Sequence, residues 1–224
     1  MWNTAPFWGS SRGLITSQKV NISAYEVLAH LLMSIILSGN FPHLKQIVIL
    51  GHSAGGQLVN RYAASNTIEE TFNIPVKYMV MAPSSYLYFT DERICDKREK
   101  KFCKLKEKDK QLNRWGYGTE KLYGYHKRHH ITPHSMKRRY QHATILYLVG
   151  ENDDKRDASL STHIGAMAQG NHRKERAMIY YNYLQHLFGS DITRNQKLVI
   201  VPNVGHWGKG LMRSREGTQF ILFD

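Results

Sequence analysis

An α/β fold, a mostly parallel sheet flanked by helices, is what three features of this 224-residue sequence predict. Four short apolar runs, QIVIL (46–50), VKYMVMA (76–82), TILYLVG (144–150) and KLVIVP (197–202), are rich in β-branched residues and nearly free of polar alternation. Such runs are too short for helices and read as strands covered on both faces. Helical segments separate most of them, and the order strand, helix, strand is that of right-handed crossover units. With 42% hydrophobic residues the chain can bury one substantial core and is too mixed to be disordered or fibrous, so residues 1–224 are read as one domain.

The opening MWNTAPFWGSSRG has no apolar stretch of the kind a signal peptide needs, and the longest apolar run, 30–37, is too short to cross a bilayer. No membrane anchor is expected, and the cytoplasm is the default compartment. Ser23-Ala-Tyr-Glu26 is a capping box, in which the Ser23 hydroxyl accepts from the Glu26 N–H while the Glu26 carboxylate reaches back. A helix should follow it: Val27, Leu28, Leu31, Leu32, Ile35 and Ile36 recur at helical spacing, and Gly39 supplies a left-handed end. Further helices are predicted over 54–64, near 160–169 and over 173–188.

The connection between the second and third strands is out of scale, with 61 residues between Ala82 and Thr144. Residues 86–142 hold 16 Lys and Arg against 7 Asp and Glu, so most of the formal charge of +13 is concentrated there, together with nine aromatics from Tyr86 to Tyr140. This insertion is read as a basic cap over the carboxyl edge of the sheet, where loops of α/β folds gather around a ligand. Lys and Arg near Trp115, Tyr117, Tyr123 and Tyr125 can neutralise phosphates and stack on bases, although a solvated lid is the plainer reading and nucleic acid is not the favoured partner. The two cysteines, Cys95 and Cys103, exclude both a cysteine-built zinc site and a disulfide framework. In so cysteine-poor a chain free thiols are expected, a single bridge in an oxidising compartment being the alternative.

Gly-x-Ser-x-Gly occurs twice. Gly9-Ser10-Ser11-Arg12-Gly13 follows Pro6 and a stretch without β-branched residues, leads into no helix, and is read as a loop coincidence. Gly51-His52-Ser53-Ala54-Gly55 leaves a strand and enters a helix, the setting of a nucleophile elbow. Side chains at Gly51 or Gly55 are expected to collide with the crossing strand and helix, and Gly56 extends the same tolerance. The other use of such a turn is a phosphate cradle, but neither a P-loop lysine nor dinucleotide glycine spacing is present.

A serine hydroxyl needs an imidazole to take its proton and a carboxylate to orient that imidazole, in the chain order nucleophile, acid, histidine. TILYLVG runs into Glu151-Asn152-Asp153-Asp154, and Asp153 is selected as the acid, with Asp154 and Glu151 as weaker candidates and an acidic surface turn as the alternative. KLVIVP runs into Asn203-Val204-Gly205-His206-Trp207, which selects His206 among twelve histidines. His163, His172 and His186 lie within or beside predicted helices.

With these landmarks in order the chain resembles the α/β-hydrolase superfamily, and more narrowly a group of bacterial and fungal hydrolase-like proteins. The resemblance rests on GHSAGGQLVNRYA (51–63), APSSYLYF (82–89), NRWGYG (113–118), YLVGENDD (147–154), MAQGNHRKERAMIYY (167–181) and VPNVGHWGKGLMRS (201–214). It implies Ser53 as nucleophile, Asp153 as acid and His206 as base. The full fold has about eight strands with the nucleophile after the fifth. Only 45 residues precede QIVIL, with no convincing strand before Ser23, so the amino-terminal part of the sheet is expected to be missing. The Ala54 N–H would then be one oxyanion donor without its usual upstream companion, a loss of about a hundredfold or more in rate. QIVIL would also keep an open edge, prone to pairing with a second chain. The expected function is hydrolysis of a small ester-like substrate without cofactor or metal. The alternative is a catalytically silent remnant whose basic, aromatic cap binds an anionic partner.

Overall fold

A computed structural model of the chain describes residues 22–223. The Gly9 to Gly13 motif and the stretch read as strandless ahead of Ser23 therefore lie almost entirely outside the described residues. Helix α1 (Ala24–Leu37) begins on the capping box: the Ser23 N–H donates to Glu26 Oε2 at 2.6 Å and the Glu26 N–H to Ser23 Oγ at 3.2 Å. Gly39, at φ 71°, takes the left-handed position just past its end.

Strand β1 (Ile47–His52) leads into α2 (Ala54–Ser65) and the short α3 (Ile68–Phe72), and β2 (Val76–Met81) returns parallel to β1. A hairpin of β3 (Glu92–Asp96) and β4 (Lys101–Lys104), a 3-10 helix (Glu107–Asn113), α4 (Tyr125–Arg128) and α5 (Pro133–His142) precede β5 (Thr144–Gly150). The chain then forms α6 (Ile164–Met167), α7 (Arg173–Phe188), β6 (Gln196–Val201), α8 (Gly208–Met212) and α9 (Arg215–Leu222). The main sheet has the order β1-β2-β5-β6, all parallel. Both central strands are buried on both faces, which is why they read as continuous apolar runs.

Strand alternation assigns the layers. Tyr78 of β2 hydrogen-bonds Asn66 at the end of α2, and Tyr147 of β5 meets Tyr140 of α5 and Tyr180 of α7, so α2, α5 and α7 share one face. Lys77 points the other way, its ammonium 5.4 Å from the Phe220 ring of α9. The edge strands are more open, and Leu50 of β1 is 42% exposed.

The helix predicted over 160–169 shrinks to the four residues of α6. Gly165 there is the seat of the Tyr117 ring, which a Cβ would overlap, and Gly170 has φ 140°, a conformation that ends a helix. The long connection contributes to the main core. Its helix α5 packs against α2 as a layer helix, and Tyr86, Tyr88, Phe102, Trp115, Tyr125 and Tyr140 join the same buried cluster as the strands. Irregular backbone within it is satisfied by buried side chains: the Leu87 N–H donates to Asn60 Oδ1, the Phe89 and Thr90 N–H groups to the Tyr183 hydroxyl. Arg61, fully buried on α2, donates to the carbonyls of Gly116, Ser85 and Gln57 and so pins the 113–118 loop to the helix layer.

Two expectations for this segment are corrected. Of the aromatics suggested as a base-stacking platform, Trp115, Tyr117 and Tyr125 are buried and only Tyr123 is exposed. Burial of large rings outweighs their display to solvent, and of the four only Tyr123 is left to offer a stacking face. Cys95 and Cys103 are not free thiols but a disulfide, because the antiparallel hairpin with its bulge at Cys95 holds their Cα atoms 5.7 Å apart. No described helix is long and apolar enough to cross a membrane.

Candidate active site

Three strand ends converge at the carboxyl edge of the sheet. Ser53, between β1 and α2, has φ 55° and ψ −115°, a strained conformation for a residue with a Cβ. It is held there by its N–H donating to the Met81 carbonyl at 2.9 Å and by its own carbonyl accepting from Gln57 at 3.0 Å. The turn closes because Gly51 and Gly56 are bare: a Cβ at Gly51 would overlap the Gly55 carbonyl, and one at Gly56 would lie 2.7 Å from the Met81 oxygen. Gly55 has nothing within 4 Å of its Cβ position, so the collision expected there is absent and the second tight approach is one residue later. Gly56→Ala should therefore destabilise the fold by roughly 1–3 kcal/mol through overpacking. Gly55→Ala, in open space within a helix, should be neutral or stabilising by up to about 1 kcal/mol. Urea unfolding of the two variants checks the contrast.

The acid and the histidine are brought together by their loops. A Cβ at Gly150 would overlap the Val204 carbonyl, so the loop after β6 crosses directly over the end of β5. The Glu151 N–H donates to the Val201 carbonyl and the Asn152 N–H to that of Val204, both at 2.9 Å. As a result His206 Nδ1 lies 2.9 Å from Asp153 Oδ2, and His206 Nε2 lies 3.0 Å from Ser53 Oγ. An ionised carboxylate only accepts, so Nδ1 carries the proton and Nε2 is left to accept from the serine hydroxyl. Asp153 is buried, whereas Asp154 pairs with Lys174 at 3.4 Å and Glu151 accepts from the Asn203 N–H at 3.0 Å, both exposed.

The remaining candidate histidines have other work. His163 and His172 cap α6 and α7 through Nδ1, and His186 stacks on Phe102 with ring centroids 5.1 Å apart. The Ala54 N–H opens α2, where a helix leaves its first N–H groups without intrahelical acceptors and its dipole favours negative charge.

Two neighbours of the site lie within quoted stretches but had no role assigned from the sequence. Arg173, the first residue of α7, is fully buried and donates to Asp153 Oδ1 at 3.3 Å, Asp157 Oδ2 at 2.7 Å and Ser159 Oγ at 2.8 Å. Hydrogen bonding from Arg173 holds the Asp157 carboxyl well below the usual carboxylate range. The signal was present in the helix period, since Arg173 and Arg176 fall on the stripe of Ala177, Tyr180 and Leu184 that faces the core. His52 is the second. Its ring lies 4.4 Å from that of His206, its Nε2 is buried without a hydrogen-bond partner, and the bare Cα of Gly208 lets the chain pass against it. Burial, and secondarily the nearby His206, push its pKa down, which disfavours a second positive charge beside His206.

No family model matches this chain, and no curated protein matches it either. Solved structures do. The poly(3-hydroxybutyrate) depolymerase LpqC from Bordetella parapertussis aligns with a TM-score of 0.58 at 23% identity, over 89% of this chain and 56% of that one. Poly(aspartic acid) hydrolase-1 from Sphingomonas sp. KT-1 aligns with a TM-score of 0.59 at 18% identity, over 91% of this chain and 64% of that one. The chain thus spans little more than half to under two thirds of the length of these two proteins. What they share with it is the α/β-hydrolase-type fold, a mostly parallel sheet flanked by helices.

Proposed function

We propose that this chain is a serine hydrolase that cleaves acyl bonds, carboxylic esters first among them. The observation that carries the reading is the hydrogen-bond chain from Ser53 Oγ through His206 to Asp153, assembled from three separate strand ends. In the first half of the reaction Ser53 Oγ attacks the acyl carbonyl carbon and its proton passes to His206 Nε2. Negative charge develops on the carbonyl oxygen, against the Ala54 N–H and the start of α2. The carbon to leaving-oxygen bond then breaks, and the leaving alcohol takes the proton from Nε2. A water molecule, deprotonated by the same nitrogen, attacks the acyl-Ser53 ester; the acid leaves and the proton returns to Ser53 Oγ. Asp153 stays ionised throughout and stabilises the imidazolium.

The two similar structures are of enzymes named for polymers whose units are joined through acyl carbonyls, and the proposal extends that chemistry to this chain. Hydrolysis of a short nitrophenyl ester tests it. Ser53→Ala should lower kcat by roughly 10⁴-fold or more. Equal rates for the two proteins would remove the enzymatic reading.

A further inference from the structure

The hairpin β3-β4 is unlike the rest of the surface. Its inner side is anchored: Arg93 is buried, lies 4.0 Å from the Tyr88 ring and donates to the Leu112 and Tyr117 carbonyls, while Phe102 packs on Tyr183. Its turn is fixed by Asp96 Oδ1 accepting from the Arg98 and Glu99 N–H groups, and the Cys95–Cys103 disulfide closes the two strands. Its outer side is cationic. Residues 97–110 hold eight Lys and Arg against three Asp and Glu. Arg98, Lys100, Lys101, Lys104, Lys106 and Lys108 are exposed and make no ion pair among the described residues. Six like charges on a braced scaffold repel one another, and an anionic ligand relieves that repulsion.

The hairpin is also tied to the candidate site. Lys97 Nζ lies 2.6 Å from Glu175 Oε1. Glu175 stands in the first turn of α7, two residues after the Arg173 that holds Asp153. The tip of the cationic hairpin therefore lies beside the end of α7 that supports the triad, while its base, where Phe102 meets Tyr183 and His186, runs along the far half of that helix.

We propose that this hairpin docks a polycarboxylate, so that the substrate of the site is an anionic acyl chain gripped by lysines on one side while one of its carbonyls reaches Ser53. The substrate half of this inference rests on the hydrolase reading; the docking half does not. Nucleic acid fits less well, because all the aromatics of the same segment except Tyr123 are buried. An anionic membrane surface also fits less well, since none of the exposed large apolar side chains lies on the hairpin.

The test uses the full chain with Ser53→Ala, so that binding is read without turnover, and fluorescent poly-L-glutamate as the probe. Binding should weaken steeply as salt is raised, and replacing Lys100, Lys101, Lys104 and Lys106 together by Gln should weaken it by about tenfold or more at low salt. With Ser53 present, the same replacement should lower the preference for a carboxylate-bearing ester over its neutral analogue by a similar factor. Unchanged poly-L-glutamate binding in the Gln variant overturns the proposal. So does equally tight binding of a single-stranded oligonucleotide of matched charge, which would assign the surface to phosphate. Failure of the hydrolase reading shows separately, as equal ester rates with and without the Ser53 hydroxyl.

Discussion

Asp153→Asn is expected to lower ester hydrolysis by about 10⁴-fold while leaving the protein folded. The reason is the direction of one hydrogen bond. Asp153 accepts from His206 Nδ1, which leaves Nε2 free to accept the Ser53 proton. An asparagine amide in the same place can donate to Nδ1 instead, fixing the tautomer in which Nε2 carries a hydrogen and cannot act as base. Asn is close to Asp in size, so the loop over Gly150 is preserved and the loss falls on kcat rather than on stability. A loss of only a few-fold would mean that the proton leaves Ser53 by another route.

Arg173→Met should have the largest effect on stability. Arg173 and Asp153 are both buried, and removing the guanidinium leaves a carboxylate with no cation beside it except the transient imidazolium. Breaking a buried pair from one side costs about 3–5 kcal/mol, to be read as a lower urea midpoint. The Ser159 and Asp157 contacts are lost in the same step, so the 157–160 turn loosens as well. Arg173→Lys keeps the charge but not the fork that spans two carboxylates, and should recover only part of the loss. Unfolding equal to the parent in both variants would show Asp153 to be held by its backbone and His206 alone.

The parts of this fold legible in the sequence are those set by local rules. The capping box at Ser23 and the bounds of α7 were readable because cap chemistry and helical period act within a few residues. The two central parallel strands were readable because burial on both faces leaves uninterrupted apolar runs, and the two edge strands, although partly open, because their runs are short and rich in β-branched residues. Ser53, Asp153 and His206 could be singled out as candidates because each lies just past such a run, and the structure brings their side chains within hydrogen-bond distance.

What stayed hidden depends on contacts far apart in the chain. Within the short α6, Gly165 seats the Tyr117 ring, 48 positions away, and no local propensity reports that contact. The bridge between Cys95 and Cys103 depends on a bulged hairpin register that composition does not encode. Arg61, Arg173 and Arg176 had no assigned role in the sequence, because arginine in a helix is usually solvated, and here all three are buried among carbonyls and carboxylates. At Gly55 and Gly56 the motif pointed one residue too early, since which glycine meets the neighbouring strand is a matter of approach rather than spacing.

The most direct measurement of the central claim is covalent labelling of the folded chain by an alkyl fluorophosphonate at neutral pH, read by mass spectrometry of the intact protein and its peptides. One adduct per chain, on Ser53, is predicted, slowed by orders of magnitude in His206→Ala. No adduct, or an adduct shared among several serines at a rate indifferent to His206, would contradict it.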